Sequence, residues 1–213
     1  MRRCESGEHD ERGTGADRDV RELAAEETFT NVHRGGTVLC AAMDIDQINL
    51  GLLVLRVAVG ATMLAHGVNH VWRGGRIAGT GRWFESLGMK PGPLHAWLAS
   101  LTEVGAGVML VLGLLTPLAC AGVVGVMLVA LITNHLKNGF FIFRPGEGYE
   151  YVVTLLAVST CLALLGPGAW SLDDAFDLVD DLAGWTGLLI AAVAGYGGAL
   201  ALLAVFWRPE EQA

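Results

Sequence analysis

The chain has 213 residues, is 53% hydrophobic with a mean hydropathy of +0.47, and carries a formal net charge of −8. Its apolar residues are clustered rather than spread at helix or strand period, which fits lipid better than an aqueous core and argues against an ordinary soluble domain. The negative charge sits in the first 43 residues (nine acids, six Arg) and in the run Asp173 to Asp181 (five acids, no Lys or Arg), so there is no broad acidic binding face. A basic patch of the kind that binds nucleic acid is also absent.

Residues 1–43 are polar, charged and poor in large apolar groups. They are expected either to be a disordered tail, since they bury too little surface to offset ordering entropy, or to be a mis-called start, with Met43 as the true first residue. No cleavable signal peptide is expected, because the first apolar stretch begins only after residue 47. That stretch, roughly Ile48 to Trp72, is long enough to cross a 30 Å hydrocarbon core. Residues 73–88 follow, with Trp83, Phe84 and Leu87 on one helical face beside Arg82. This reads as a short interfacial helix with aromatics at headgroup level.

Pro91 and Pro93 open a second span, about Leu94 to Leu115. The short turn at Thr116-Pro117 makes it the antiparallel neighbour of a third span, which runs to about Lys137. Residues 138–148 read as a loop with aromatic anchors (Phe140, Phe141, Phe143). A fourth span covers about Tyr149 to Leu165 and stops at Gly166-Pro167-Gly168. The acidic loop 171–184 leads to a fifth span, Trp185 to Trp207. There Gly187, Ala191, Gly195 and Ala199 form a ridge of small residues suited to tight packing, either against the bundle or between protomers of a homo-oligomer.

Arg73, Arg76, Arg82, Lys90, Lys137, Arg144 and Arg208 fall on one face, and the opposite face has no Lys or Arg. The basic face should therefore be cytoplasmic.

Ionisable groups in hydrocarbon cost several kcal/mol each and are by default candidates for function. Counting helix rise from the basic face, Glu150 and His135 are shallow, His66 lies about 9 Å in and Glu103 about 13 Å in. These four, from four different spans, are the candidate catalytic set. His70 is one turn from His66 on the same face. His70, Arg56, Asn134 and Tyr149 form the candidate cofactor-binding set, with Arg56 deeper, near the outer third.

Several readings stay open. Glu103 either carries protons or makes a structural pair with His66 or Arg56. Glu150 is either a site residue or a helix-start carboxylate favoured by the macrodipole. Two His and two Glu could ligate iron, zinc or manganese, but the Glu-x-x-His pair of bundle metal sites is missing. A quinone headgroup is the better match, since it needs proton donors beside an apolar slot. The four cysteines (Cys4, Cys40, Cys120, Cys161) form no CxxC pair, which argues against dithiol redox chemistry.

The ordered series Leu55-Arg56, Gly60, His66-Gly67, Phe84, Leu87-Gly88, Glu103, Gly107, Leu112-Gly113, His135, Gly139-Phe140-Phe141, Tyr149-Glu150-Tyr151, Gly166-Pro167-Gly168 and Ser171-Leu172-Asp173 resembles the DoxX family over about residues 48–175. The resemblance implies a four-helix integral protein of the bacterial or archaeal inner membrane. It also implies a link to oxidoreductase systems: thiosulfate:quinone oxidoreductase in the founding members, and an oxidative-stress complex with a superoxide dismutase and a sulfurtransferase in actinobacterial ones. The family commonly has Lys where this chain has His70, and residues 185–207 lie beyond its core.

The fold expected is thus an all-α polytopic membrane protein, a four-helix transmembrane bundle plus a fifth C-terminal helix. The function expected is that of a membrane subunit of an oxidoreductase system, linked to quinone. The alternative is a non-catalytic scaffold that docks soluble redox proteins on its cytoplasmic face.

Overall fold

The computed structural model describes residues 44–209 apart from Gly74, so both expectations for residues 1–43 lie outside the described residues. The described chain is helical. Helix α1 (Ile45–Trp72) is followed by the short α2 (Arg76–Ser86) and by α3 (Gly92–Leu112). Helix α4 (Thr116–Asn138) is α-helical to Ala130, then passes through a π-turn, Leu131–His135, and a closing 3₁₀ turn, Leu136–Asn138. Helix α5 (Glu150–Leu165) leads to two one-turn helices, α6 (Leu172–Ala175) and α7 (Val179–Leu182), and then to α8 (Gly184–Phe206), which contains a second π-turn at Ala191–Gly197.

Four of these helices, α1, α3, α4 and α8, are long and apolar enough to cross a membrane. The fourth expected span, α5, has 16 residues. At 1.5 Å per residue it reaches about 24 Å, short of a 30 Å core. Among the described residues four full-length spans are therefore found rather than five, and the C-terminal helix is one of them.

Glycine contact sets the packing of α1 on α3. A Cβ on Gly60 would stand 2.8 Å from the carbonyl oxygen of Gly107, and one on Gly107 would stand 2.8 Å from that of Gly60. Further along the same seam, a Cβ on Gly67 would meet the Ser100 carbonyl and the Glu103 Cβ, both at 3.0 Å. Missing side chains let the two backbones touch, which is how helices associate where lipid offers no hydrophobic drive. The small-residue ridge of α8 is used the same way inside the chain. Gly187 lies on the Ala163 carbonyl of α5, and Gly195 lies on Ala121 and Val124 of α4. Ala191 and Ala199 are buried beside them. The Thr160 and Tyr196 hydroxyls, 2.9 Å apart, tie α5 to α8.

The helices are locked at one end by a polar clasp. Asp173 is fully buried; its two carboxylate oxygens accept from the Leu115 and Thr116 amides at 2.6 and 2.9 Å. These amides open α4, so the carboxylate caps that helix and complements its dipole. Arg56, also fully buried, donates to the carbonyl of Leu110 at 3.1 Å and to that of Trp170 at 2.7 Å. Gly113, at φ +65°, lies where any Cβ would strike the Arg56 guanidinium and Ser171. At the other end, Arg208 donates its amide to the Gly88 carbonyl at 2.8 Å and the Trp207 indole donates to the Leu87 carbonyl at 2.9 Å, fastening α8 beneath the α2–α3 connection.

Candidate functional site

The chain forms a half-open cavity of about 570 Å³ lined by α1, α2, α3, α4, α5 and α8. Most of its wall is apolar. The polar side chains on it include His66 and His70 from α1, His95 and Glu103 from α3, Thr133 and His135 from α4, Glu147 from the following loop and Tyr151 from α5.

Glu103 is the more buried of the two acids on this wall, 3% exposed. Its Oε2 lies 3.2 Å from Nδ1 of His70, the separation of an ion pair, but neither atom has a hydrogen-bond partner of proper alignment. The backbone explains the pairing: Gly67 lets α1 approach to the Glu103 Cβ, and His70, one turn on, then overhangs the carboxylate. His66 instead faces α5. Its Nε2 is 3.3 Å from the Tyr151 hydroxyl, and the two rings stack at 6.0 Å with 23° between their planes.

The π-turn of α4 delivers His135. Inserted π-turns are frequent at functional sites because one extra residue re-aims a side chain. Here His135 Nδ1 meets the Glu147 carbonyl at 2.9 Å, and its Nε2 lies 3.3 Å from the Asn134 amide. Asn138 donates to the carbonyls of Gly146 and Glu147, at 2.6 and 3.1 Å. Loop 139–149 is thereby folded back over the cavity, and Ile142 and Glu147 become part of its wall.

Of the eight residues singled out in the sequence, four line this cavity: His66, His70, Glu103 and His135. Asn134 stands behind His135. Tyr149 and Glu150 lie at the start of α5 outside the cavity wall, with Tyr149 packed edge-on against Phe140 at 5.5 Å. Arg56 belongs to the clasp at the far end of α1, about 21 Å from His70 by helix rise. The partner of Glu103 is His70 rather than His66 or Arg56.

The polar wall residues that escaped the sequence reading include Thr133, Tyr151, Glu147 and His95. Tyr151 carried a signal, since it follows Glu150 by one position on the same helix. Glu147 lies in a loop whose return path no periodicity discloses. His95 stands two residues beyond Pro93, in the first turn of α3. In the structure it is 3% exposed, edge-on to Phe206 at 5.1 Å, and its Nε2 is unpartnered. Phe84, expected at headgroup level, is buried beneath it, whereas Trp83 is exposed. Among the described residues no three His, Cys, Asp or Glu side chains converge in a metal-binding group.

Residues 51–136, from α1 to the π-turn of α4, match the family model named DoxX. The chain carries a DoxX domain. All four sequence-selected residues on the cavity wall fall inside it: His66 and His70 of α1, Glu103 of α3 and His135 of α4. The DoxX match ends before Glu147, Tyr151 and all of α8. No curated protein and no solved structure matches the chain. With its DoxX domain and its four long apolar helices, the protein is a multi-pass membrane protein in contact with the lipid bilayer.

Proposed function

We propose that this protein is the membrane subunit of an oxidoreductase system of the bacterial inner membrane, and that its cavity receives the headgroup of a quinone. One observation carries the reading: a largely apolar cavity of about 570 Å³ on whose wall His95 Nε2 is buried without a hydrogen-bond partner, while buried Glu103 Oε2 and His70 Nδ1, 3.2 Å apart, have no aligned hydrogen bond and no contact beyond each other. Buried polar groups are almost always satisfied, so unpaired ones facing a cavity point to a ligand that completes them.

The residues fit such a ligand. A quinone has two carbonyl acceptors on a flat apolar ring, and when bound it supplies reversible two-electron, two-proton chemistry. The Tyr151 hydroxyl and the imidazoles of His66, His70 and His95 can donate to carbonyl oxygens. Glu103, paired with His70, holds or takes up a proton at Oε2 within reach of the same space. His135 and Glu147, with Glu150 nearby at the start of α5, lead from there toward the basic face. Proton transfer by positioned side chains of this kind is general acid–base catalysis. The basic face is cytoplasmic in this reading. In this reading helix α5 also crosses the bilayer, in line with its start at the returning loop 139–149 and its exit toward the Asp173 clasp.

The test is titration of ubiquinone and menaquinone analogues into purified protein in phosphatidylcholine nanodiscs, followed by Trp fluorescence quenching. Saturable quenching, weakened at least tenfold in Glu103→Gln with unchanged helicity, supports the reading. Quenching that rises linearly with quinone and ignores the substitution refutes it.

A second reading has its own observation. Arg73, Arg76 and Arg82 are exposed around α2, on the basic face. Such a surface suits a scaffold that docks soluble redox enzymes by charge. Loss of partner recovery in an Arg73/Arg76/Arg82→Gln triple variant supports docking there; undiminished recovery speaks against it.

A further inference from the structure

The cavity does not end at its polar groups. Its wall continues along α4 through Leu118, Gly122, Gly125 and Val126, flanked by Leu101, Gly105 and Met109 of α3 and by Ala194, Gly198 and Leu202 of α8. This part is apolar and lies within three of the helices long enough to cross a bilayer. Two of its glycines differ from those that seat helix on helix. A Cβ built on Gly105 or on Gly198 meets no atom of the described residues within 4 Å, whereas those on Gly60, Gly67 and Gly107 collide. Neither Gly105 nor Gly198 has a positive φ. Neither close packing nor backbone geometry calls for glycine at these two positions, and glycine inside a helix is unfavourable relative to Ala or Leu. What glycine does provide there is room.

We propose that this groove over α4, between α3 and α8, holds the prenyl chain of the quinone whose headgroup sits against His66, His70, Glu103 and Tyr151, and that Gly105 and Gly198 keep it passable. The proposal rests on the quinone reading above. The groove is continuous with the polar wall, so one amphiphile can fill both parts, with its apolar chain at hydrocarbon depth. The chain length it accepts is set partly by α8, which lies outside the DoxX match. A leucine at either glycine adds four carbons where no side chain now stands, and its Cβ meets no atom of the described residues within 4 Å.

Gly105→Leu, Gly198→Leu and, as a third probe of the same wall, Ala194→Leu are compared with wild type in phosphatidylcholine nanodiscs. Two ligands are titrated: a benzoquinone with a decaprenyl-length chain, and its methyl-substituted counterpart with no chain. Thermal unfolding of each variant is recorded alongside. The expected result is wild-type unfolding, near-unchanged affinity for the chainless quinone and a loss of tenfold or more for the long-chain one in at least one variant. Equal affinities of the wild type for both ligands would mean that ordinary acyl chains occupy the groove, and would overturn the proposal. So would variants that bind the long-chain quinone as the wild type does. If the wild type binds neither ligand, the quinone reading itself falls and this proposal falls with it.

Discussion

Removing the carboxylate of Asp173 isolates what holds the helices together from what the cavity does. In Asp173→Ala, the Leu115 and Thr116 amides lose their acceptor, two charge-assisted hydrogen bonds of 2.6 and 2.9 Å. Such bonds contribute about 1.5–3 kcal/mol each. The buried Arg56 cation also loses the nearby anion that offsets its burial. Breaking a buried charge arrangement on one side typically costs about 3–5 kcal/mol. Taking about 4 kcal/mol, and about 3 °C per kcal/mol for a domain of this size, unfolding should fall by roughly 12 °C. Asp173→Asn keeps one acceptor oxygen and should lose about half as much. Differential scanning fluorimetry in a mild detergent reads both variants against wild type. Quinone affinity, measured on the folded fraction, should change less than twofold, since the clasp lies at the far end of α1 from His70. A shift below about 3 °C for Asp173→Ala would refute the clasp as a stabilising element, and a large loss of affinity in the folded fraction would refute its separation from the cavity.

Gly105 and Gly107 offer a contrast two residues apart on α3. Gly107→Ala should destabilise by about 1–3 kcal/mol because its Cβ enters the α1 backbone, while Gly105→Ala should be neutral or stabilising by up to about 1 kcal/mol; chemical denaturation in detergent separates them, and equal effects would count against the Gly60–Gly107 seam. Tyr151→Phe removes the hydroxyl that faces His66, and headgroup affinity should drop roughly three- to tenfold, corresponding to one lost hydrogen bond of about 1 kcal/mol; unchanged affinity for a chainless quinone would remove Tyr151 from the site. Single cysteines at Arg76 and Asp180 in a cysteine-free background should react with an impermeant maleimide from the cytoplasmic and the outer side respectively, and the reverse pattern would invert the assigned orientation.

The helices were legible in the sequence because uninterrupted apolar runs admit no other structure in lipid, and their ends were legible because Pro and Gly mark them. Length was less so. The bounds of the fourth span, about Tyr149 to Leu165, match the helix Glu150–Leu165 to one residue, but at 16 residues it is shorter than the four helices long enough to cross a membrane. Glu103 stood out as an acid in an apolar run, but its partner did not: His66 and His70 share a helix face, and only the approach of α1 at Gly67 brings His70 rather than His66 over the carboxylate. Arg56 stood out equally and proved to be at the far end, held by carbonyls from the last turn of α3 (Leu110) and from the loop after α5 (Trp170), which sequence separates by 60 residues. His95 and Glu147 were missed because each comes to the cavity through tertiary packing, one beneath α2 and the other on a returning loop.

Photoaffinity labelling with an azido-benzoquinone bearing a prenyl chain, followed by peptide mapping in nanodiscs, bears most directly on the cavity as a quinone site. Labels confined to peptides containing His66–His70, His95–Glu103 and Glu147–Tyr151, and abolished by excess unlabelled quinone, are the expected result. Labels spread over the lipid-facing residues of α1, α3 and α8, and insensitive to competitor, would contradict it.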